Sequence, residues 1–257
     1  MTEAQADVRV EPDAGVLVIT IDRPAVRNAI DAAVARGIAA AVDRLDGDPA
    51  LAVGVLTGAG GTFCSGFDLR AFLRGESAQI EGRGFGGLVE RLPRKPLIAA
   101  VEGWALAGGC ELALACDLVV AAENASFGLP EVKRGLVAAA GGLIRLPRRL
   151  PYHIAMEYGL TGRPLPATRA AELGLVNLLT ATGEALAGAV GLAREIAANG
   201  PLAVQATLEI VRTSMDDAEK DAFARQREIV APVFASADAR EGALAFREKR
   251  PPVWTAS

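Results

Sequence analysis

The stretch WALAGGCELALACD, residues Trp104–Asp117, decides how this chain is interpreted. One carboxylate, Glu111, lies inside an apolar run that begins directly after a Gly-Gly-Cys turn. The glycines predict a sharp turn, and the apolar residues that follow predict a buried helix. A buried charge is costly unless it is compensated. Glu111 is therefore either an acid that favours the positive end of a helix or a reagent.

The composition of the 257-residue chain excludes several classes of function. Hydrophobic residues make up 51% and charged residues 23%, which is typical of a protein with a sizeable core. A net charge of -4 gives no support to nucleic-acid binding. No apolar run approaches the length of about 18 residues that a membrane span needs. The N-terminus lacks the apolar segment of a signal peptide, so we expect a cytoplasmic protein with no membrane partner.

The cysteines and the single histidine limit the possible metal and redox chemistry. Cys64, Cys110 and Cys116 have apolar neighbours and form no C-x-x-C pair, which indicates buried, reduced thiols. His153 is the only histidine, so a His-rich zinc site is excluded and no metal site is predicted. We expect His153 in the first turn of a helix, with a structural role.

Apolar strands alternate with helices through the first part of the chain, which predicts an α/β fold with largely covered sheets. The predicted strands lie at residues 16–24, 51–60, 95–103 and 117–127, and the first long helix lies at 29–48. From about residue 186 the pattern is helical without further strands. We expect a core over residues 1–200 and a C-terminal helical region over residues 201–257.

Two further segments combine turn residues with possible chemistry. TGAGGTFCSGFDL, Thr57–Leu69, follows a predicted strand, and free N–H groups in such a turn can bind an oxygen anion. A tight turn with a helix capped by Asp68 explains the same pattern. ASFGLPEVKRGL, Ala125–Leu136, places Glu131 directly after a proline, which is common where a helix begins. Glu131 could also be only a first-turn acid.

The glycine-rich segment GESAQIEGRGFGG, residues 75–87, contains a formal G-x-G-x-x-G. No strand precedes it, so it fails the structural context that a dinucleotide-binding motif requires. We expect a mobile loop beside a site.

Together these segments resemble the enoyl-CoA hydratase branch of the crotonase superfamily. The resemblance spans residues 8–254 and rests on GTFCSGFDL, WALAGGCELALACDLVVAAENASFGLPEVKRGL, RLPRRLP, LTGRPLPATRAAELGLVN and EGALAFREKRPPVW. It implies a spiral of ββα repeats followed by a C-terminal α-helical oligomerisation region. Such regions usually form trimers that pair into hexamers, so we expect a homotrimer or homohexamer.

The resemblance also implies the substrate and the catalytic groups. The substrate would be an acyl-CoA thioester, with CoA as part of the substrate and no separate cofactor. The backbone N–H groups of Phe67 and Gly108 match an oxyanion hole that stabilises an enolate-like anion. Glu111 would activate water for attack at Cβ, and Glu131 would supply or remove the proton at Cα.

Seven residues match family positions that contact CoA: Arg27, Ser65, Asp68, Leu69, Arg70, Phe246 and Lys249. The first would approach the CoA phosphates, and the last two would lie near the nucleotide, sometimes from a neighbouring subunit. The basic clusters at residues 145–149 and 247–250 have an alternative interpretation as solvated faces.

The sequence departs from the hydratase pattern after the second glutamate. Hydratases commonly have Pro-Gly-x-Gly-Gly there, whereas this chain has VAAAGG, so Ala138-Ala139 replaces Pro-Gly near the expected water site. Three functions stay open: a hydratase, an isomerase or carnitinyl-CoA dehydratase-like enzyme, and an acyl-CoA-binding protein with little catalysis. The presence of both glutamates favours hydration.

Overall fold

The computed structural model describes residues 7–257, so the first six residues of the N-terminus that we interpreted as lacking a signal peptide lie outside it. Eleven strands occur in the described range: β1 Val8–Asp13, β2 Val16–Ile21, β3 Val53–Gly58, β4 Gln79–Ile80, β5 Gly84–Phe85, β6 Leu97–Val101, β7 Trp104–Leu106, β8 Leu118–Ala122, β9 Ser126–Gly128, β10 Leu165–Pro166 and β11 Leu178–Thr180.

Ten α-helices and two 3-10 turns occur in the same range. The turns are Pro24–Val26 and Pro130–Arg134. The helices are α1 Ala32–Gly47, α2 Leu69–Leu73, α3 Gly108–Ala115, α4 Gly142–Arg149, α5 Tyr152–Thr161, α6 Ala167–Glu172, α7 Ala185–Ala197, α8 Pro201–Ser214, α9 Glu219–Ala235 and α10 Ala237–Glu248.

The main sheet has six strands in the order β1-β2-β3-β6-β8-β11. β1 is antiparallel to β2, and every other pair is parallel. Side chains alternate between two buried clusters. Ile19 and Leu56 belong to the larger cluster, which includes α1, whereas Val55 and Ile98 pack with Ala189 of α7. Both faces are covered, which explains the nearly continuous apolar strands and confirms the predicted α/β class.

A three-stranded sheet, β10-β9-β7, positions the segments with the possible chemistry. β7 and β9 are parallel, with Trp104 opposite Ser126 and Leu106 opposite Gly128. The chain continues from β7 into α3 and from β9 into the turn that begins at Pro130. Parallel pairing therefore brings these two chain segments to the same edge of the sheet.

The C-terminal residues form helices, as predicted, and several polar contacts attach them to the rest of the chain. Arg212 of α8 makes a two-pronged ion pair with Asp117, at 2.9 and 2.8 Å. The indole Nε1 of Trp254 donates to the carbonyl oxygen of Ala198, at 2.9 Å. The helix break near residue 200 agrees with the expected boundary, but the division into 1–200 and 201–257 stays a prediction.

Residues 75–87, which we expected to form a mobile loop beside a site, contain two short strands. β4 and β5 form a short antiparallel hairpin in which Gln79 lies opposite Phe85. The Phe85 ring is buried and lies edge-on to the ring of Phe67, with 6.3 Å between the ring centroids, within the range of about 4.5–7 Å that aromatic pairs prefer. Its apolar residues fix this segment in the core, and Gly86 and Gly87 permit close contact with α3 and α1.

The cysteines and His153 are placed as predicted. All three cysteines are buried and free of disulfide bonds, and burial raises the pKa of Cys64 and of Cys110 to about 12. His153 lies in the first turn of α5 and is exposed. None of the helices formed by residues 7–257 combines the length and the apolar character of a membrane span.

Candidate active site

Glu111 is buried in the first turn of α3, and backbone donors from a distant segment compensate it. Its Oε1 accepts hydrogen bonds from the N–H groups of Ala140, at 2.7 Å, and Gly142, at 2.9 Å. Burial raises the pKa of Glu111, these two donors oppose the rise, and the charge of Glu131 adds to it. The carboxylate is thus held rigidly and is more readily protonated than an ordinary glutamate.

Close approach explains the glycine at position 142. A β-carbon there would lie 2.9 Å from Cγ of Glu111 and 3.0 Å from both methyl carbons of Leu129. Such contacts are shorter than packed carbon atoms allow. A larger residue would push the backbone donor away from the carboxylate.

Glu131 lies in the 3-10 turn that follows β9, where Pro130 is the first residue. Its Oε2 is buried and accepts no hydrogen bond from any of residues 7–257. Burial raises the pKa of Glu131, and the charge of Arg134 opposes the rise. A buried oxygen without a donor is costly in a purely structural role, so this atom is available to a ligand.

The two predicted oxyanion donors lie in turns that touch each other. A β-carbon built on Gly66, whose φ is +94°, would lie 2.8 Å from Cβ of Ala107 and 3.0 Å from the nitrogen of Gly108. Only glycine at position 66 permits this approach and this backbone angle. Within the described part of the chain, the N–H groups of Phe67 and Gly108 donate to no acceptor. Two unused donors therefore lie in adjoining turns.

The turn that carries Gly108 contains a residue with a strained backbone conformation. Ala107, immediately before α3, has φ 51° and ψ −128°, which a residue with a β-carbon rarely adopts. Its N–H donates to the carbonyl of Gly128, at 2.8 Å, and its carbonyl accepts from the N–H of Glu111, at 3.1 Å. These bonds to β9 and α3 hold the strained residue in place, which fixes the direction of the N–H of Gly108.

Asn28 and Arg23 support the turn that carries Phe67, and our sequence analysis missed both residues. Asn28 is fully buried, donates from Nδ2 to the carbonyls of Ala59 (2.8 Å) and Thr62 (2.5 Å), and accepts at Oδ1 from the N–H of Arg23. Its φ of 55° is the left-handed conformation that asparagine tolerates. An asparagine shortly after a proline turn was the available signal.

The Arg23 side chain connects two helix caps. Its Nη2 lies 3.1 Å from Asp31, which caps α1, and 3.2 Å from Asp68, which caps α2. Burial would raise the pKa of Asp68, but hydrogen bonds from two backbone N–H groups and from Arg23 outweigh it and hold that pKa below its ordinary value. The carboxylate of Asp68 therefore caps α2. The backbone N–H of Asp68 donates to the carbonyl oxygen of Ile30.

The structure brings some of the predicted CoA contacts together and leaves others apart. Arg27 is exposed, and its carbonyl accepts from the N–H of Ser65, at 3.1 Å. Leu69 and Arg70 are exposed at the start of α2, beside the same turn. Two predicted contacts lie elsewhere, on the exposed surface at the end of α10, and form no hydrogen bond to this turn: Phe246 and Lys249.

The Ala138-Ala139 departure does not displace the segment that holds Glu111. Ala139 is exposed, and its N–H has no acceptor among residues 7–257. The next N–H, from Ala140, reaches the carboxylate. The alternative of a solvated face fits Arg148, which is exposed and pairs with Asp216 at 2.9 Å, but not the half-buried Arg145 and Arg149.

Within the described residues, no three His, Cys, Asp or Glu side chains are grouped so that they could hold a metal ion. The chemical groups of the site are therefore two raised-pKa carboxylates and several unused backbone donors. This arrangement can stabilise an oxyanion and move protons on both sides of a bound substrate.

Comparison with known proteins gives a consistent family. A family model described as enoyl-CoA hydratase/isomerase matches residues 11–257. The chain is 43% identical to enoyl-CoA hydratase EchA19 of Mycobacterium tuberculosis over 257 residues, which covers 97% of each chain. It is 44% identical to carnitinyl-CoA dehydratase of Escherichia coli K12 over 247 residues, which covers 93% of this chain and 94% of the relative.

Solved structures agree with these matches. The crystal structure of enoyl-CoA hydratase EchA1 from Mycobacterium marinum is similar with a TM-score of 0.97 and 58% identity, covering 98% of this chain and 100% of that one. That of carnitinyl-CoA hydratase from Mycobacterium avium has a TM-score of 0.79 and 45% identity, covering 99% of this chain and 100% of that one.

The role of Asn28 in supporting the turn that carries Phe67 gives a testable prediction. Asn28→Ala removes three hydrogen bonds and leaves two partly buried carbonyl groups and one backbone N–H unpaired, so we expect the free energy of unfolding to fall by about 2–4 kcal/mol. Urea denaturation measures this. The control is Asn199→Ala, whose exposed amide donates only to Glu195 and should change stability by less than about 0.5 kcal/mol. Equal effects of the two substitutions would contradict the role of Asn28.

Proposed function

Because this chain belongs to the enoyl-CoA hydratase/isomerase family, we propose that it adds water reversibly across the 2,3 double bond of a 2-enoyl-CoA thioester. The family's structures support the predicted crotonase-type fold with its C-terminal helices. One observation supports hydration most directly: the buried Glu111 and the half-buried Glu131 follow two paired parallel strands, beside turns with unused N–H donors.

The oxyanion donors would bind the thioester carbonyl. As water adds at C3, negative charge develops on the carbonyl oxygen, and the N–H groups of Phe67 and Gly108 would donate to it. Both donors are fixed before substrate binds, by the glycine contact at position 66 and by the strained Ala107. Donors fixed in advance need no reorganisation during the reaction, which is why they stabilise developing charge effectively.

The two glutamates would divide the proton transfers. Ionised Glu111 takes a proton from water while the water oxygen bonds to C3, and protonated Glu131 gives its proton to C2. Oε1 of Glu111 is occupied by two backbone donors, which leaves Oε2 to hold the water. The N–H of Ala139 has no acceptor among residues 7–257 and would donate to the same water. The roles reverse for dehydration, and the charge of Glu131 raises the pKa of Glu111.

The predicted CoA contacts support a binding surface next to this turn. Arg27, Ser65, Leu69 and Arg70 adjoin the Phe67 turn, so they would hold the CoA portion, which is part of the substrate. Asp68 would act by capping α2 and thereby fixing this surface. Phe246 and Lys249 would contribute only across a subunit contact. No separate cofactor is needed for water addition to an activated double bond.

A carnitinyl-CoA dehydratase-like reaction is the second candidate. Relatives of that name are 42–44% identical to this chain, similar to the hydratase relative. Such a reaction uses the same two acids, and the Ala138-Ala139 departure lies beside the water. An isomerase would shift the double bond without adding water.

Hydration of crotonyl-CoA tests the proposal. We expect the absorbance of the conjugated thioester to fall and the product to gain one water by mass spectrometry. Glu111→Gln and Glu131→Gln should each lower kcat by about 10²- to 10⁴-fold, because each removes a proton-transfer group. The exposed Glu123 gives the control, and Glu123→Gln should match wild type.

Other outcomes separate the alternatives. Turnover of a 3-enoyl-CoA with no gain of mass would support an isomerase, and turnover only with cationic hydroxyacyl-CoA esters would support the dehydratase. Binding of CoA esters without any turnover would contradict the enzyme proposal.

The pH dependence follows from burial of the acids. Since burial raises the pKa of Glu111, the acid limb of kcat/KM should lie above the ordinary glutamate pKa of about 4.3. A raised pKa in the folded state also means that stability is present below the unfolded-state pKa and is lost as pH rises through the folded-state value. Glu111→Gln should therefore be no less stable than wild type at neutral pH. An acid limb at the ordinary pKa would contradict this account.

The C-terminal helices support a homotrimer or homohexamer. No residue of α9 is buried in the single chain, and Phe223 and Phe234 are exposed on it. A helix without any buried face is typically covered by another chain, because few helices are stable without packing an apolar face. Sedimentation equilibrium should give three or six times the chain mass of 26.6 kDa, and a monomer at micromolar concentration would contradict the proposal.

A further inference from the structure

Arg145 lies across the backbone segment that holds Glu111. Gly141 separates the two donor residues, Ala140 and Gly142, and has φ +94°. A β-carbon on Gly141 would collide with Nη1 of Arg145, so the guanidinium lies directly against this turn. The backbone N–H of Arg145 donates to the carbonyl of Gly141, at 2.9 Å.

The other end of the guanidinium is anchored outside this turn. Nη2 of Arg145 donates to the carbonyl of Val89, at 2.5 Å, in the buried segment that follows the β4-β5 hairpin. One side chain therefore connects the turn with a fixed part of the core. A guanidinium suits this position because its planar group presents several donors in a fixed geometry.

The turn needs such a contact because its own residues restrict it little. Residues 138–142 are three alanines and two glycines, with no proline to fix φ and no side chain long enough to reach a distant partner. The residues before it, Leu136 and Val137, are exposed. The direction of the Ala140 and Gly142 donors must therefore be fixed from outside.

The charges around Arg145 include no carboxylate bonded to it among residues 7–257. Glu111 attracts it from α3, whereas Arg148 and Arg149 of its own helix repel it, and Cys116 also interacts with it electrostatically. Burial and this repulsion lower the pKa of Arg145. In turn, Arg145 lowers the pKa of Glu111, while Glu131 raises it.

We infer that Arg145 is a positioning residue for Glu111, which clamps the Ala140–Gly142 turn to Val89 and keeps two N–H donors aimed at Oε1. This role deepens the proposed function and rests on it. The positive charge of Arg145 also acts on the buried carboxylate, so it favours the ionised form that accepts a proton from water. Arg145 itself touches no reacting atom.

Two substitutions separate the charge from the clamp, and a third is the control. Arg145→Met removes both, Arg145→Lys keeps the charge but loses the forked geometry, and Arg148→Met removes an exposed charge from the same helix. For Arg145→Met we expect kcat to fall about 10- to 100-fold, as for a misplaced catalytic group, with KM within about 3-fold of wild type. The acid limb of the kcat/KM pH profile of Arg145→Met should move to higher pH, because the pKa of Glu111 rises when the positive charge is removed.

The other two variants give the comparison. Arg145→Lys should keep the acid limb near that of wild type while kcat stays reduced, and Arg148→Met should change neither quantity. A wild-type kcat and acid limb in Arg145→Met would overturn the inference. If Arg145→Met does not fold, the lysine variant decides, because an unreduced kcat in Arg145→Lys overturns the clamp.

A readout without turnover separates this inference from the proposed function. The carboxylate bands of Glu111 can be followed through a pH titration by infrared spectroscopy. The spectrum of each protein (wild type, Arg145→Met or Arg148→Met) is compared with that of the same protein carrying the additional substitution Glu111→Gln, and the difference isolates Glu111. We expect the Glu111 titration to move to higher pH in Arg145→Met and not in Arg148→Met. If wild type hydrates no enoyl-CoA, the proposed function fails. Independently of that result, an unchanged Glu111 titration in Arg145→Met overturns the positioning role.

Discussion

The parallel pairing of β7 with β9 is the constraint on which the site depends. Leu106 lies opposite Gly128, and one further hydrogen bond, from Ala107 to Gly128, continues the pairing past the end of β7. Beyond that point one chain segment carries Glu111 and the other carries Glu131. Parallel strands end at the same edge of a sheet, so two acids 20 positions apart in the sequence become neighbours whose charges interact.

Backbone N–H groups supply the hydrogen-bond donors of the site. Two of them, from Ala140 and Gly142, compensate the buried Glu111, and two others, from Phe67 and Gly108, stay unused. A backbone donor has no side-chain rotamers to lose when a substrate binds, so its position costs little once the fold is formed. Its direction depends on turns, which here are fixed by close contacts and by side chains bonded to carbonyl groups.

The long elements could be predicted because their sequence patterns are periodic. The apolar strands β2, β3 and β6, the helix α1 and the C-terminal helices all lie within the predicted segments. β7, β9 and β10 could not be predicted, because strands of two or three residues carry no period and exist only through their pairing. The hairpin within residues 75–87 was missed because its glycines suggested a loop, whereas burial of Phe85 holds it in place.

The sequence by itself determined which chemical groups this protein has: an acid after a Gly-Gly-Cys turn, an acid after a proline, and glycine turns that expose N–H groups. Only the tertiary structure decided how they are used. It connected the caps of two helices, Asp31 and Asp68, through Arg23, bonded Asn28 to the carbonyls of Ala59 and Thr62, and compensated Glu111 with donors about 30 residues away. The reason is that turns and periodicity are local properties of a chain, whereas a hydrogen bond between distant segments depends on the complete path of the backbone.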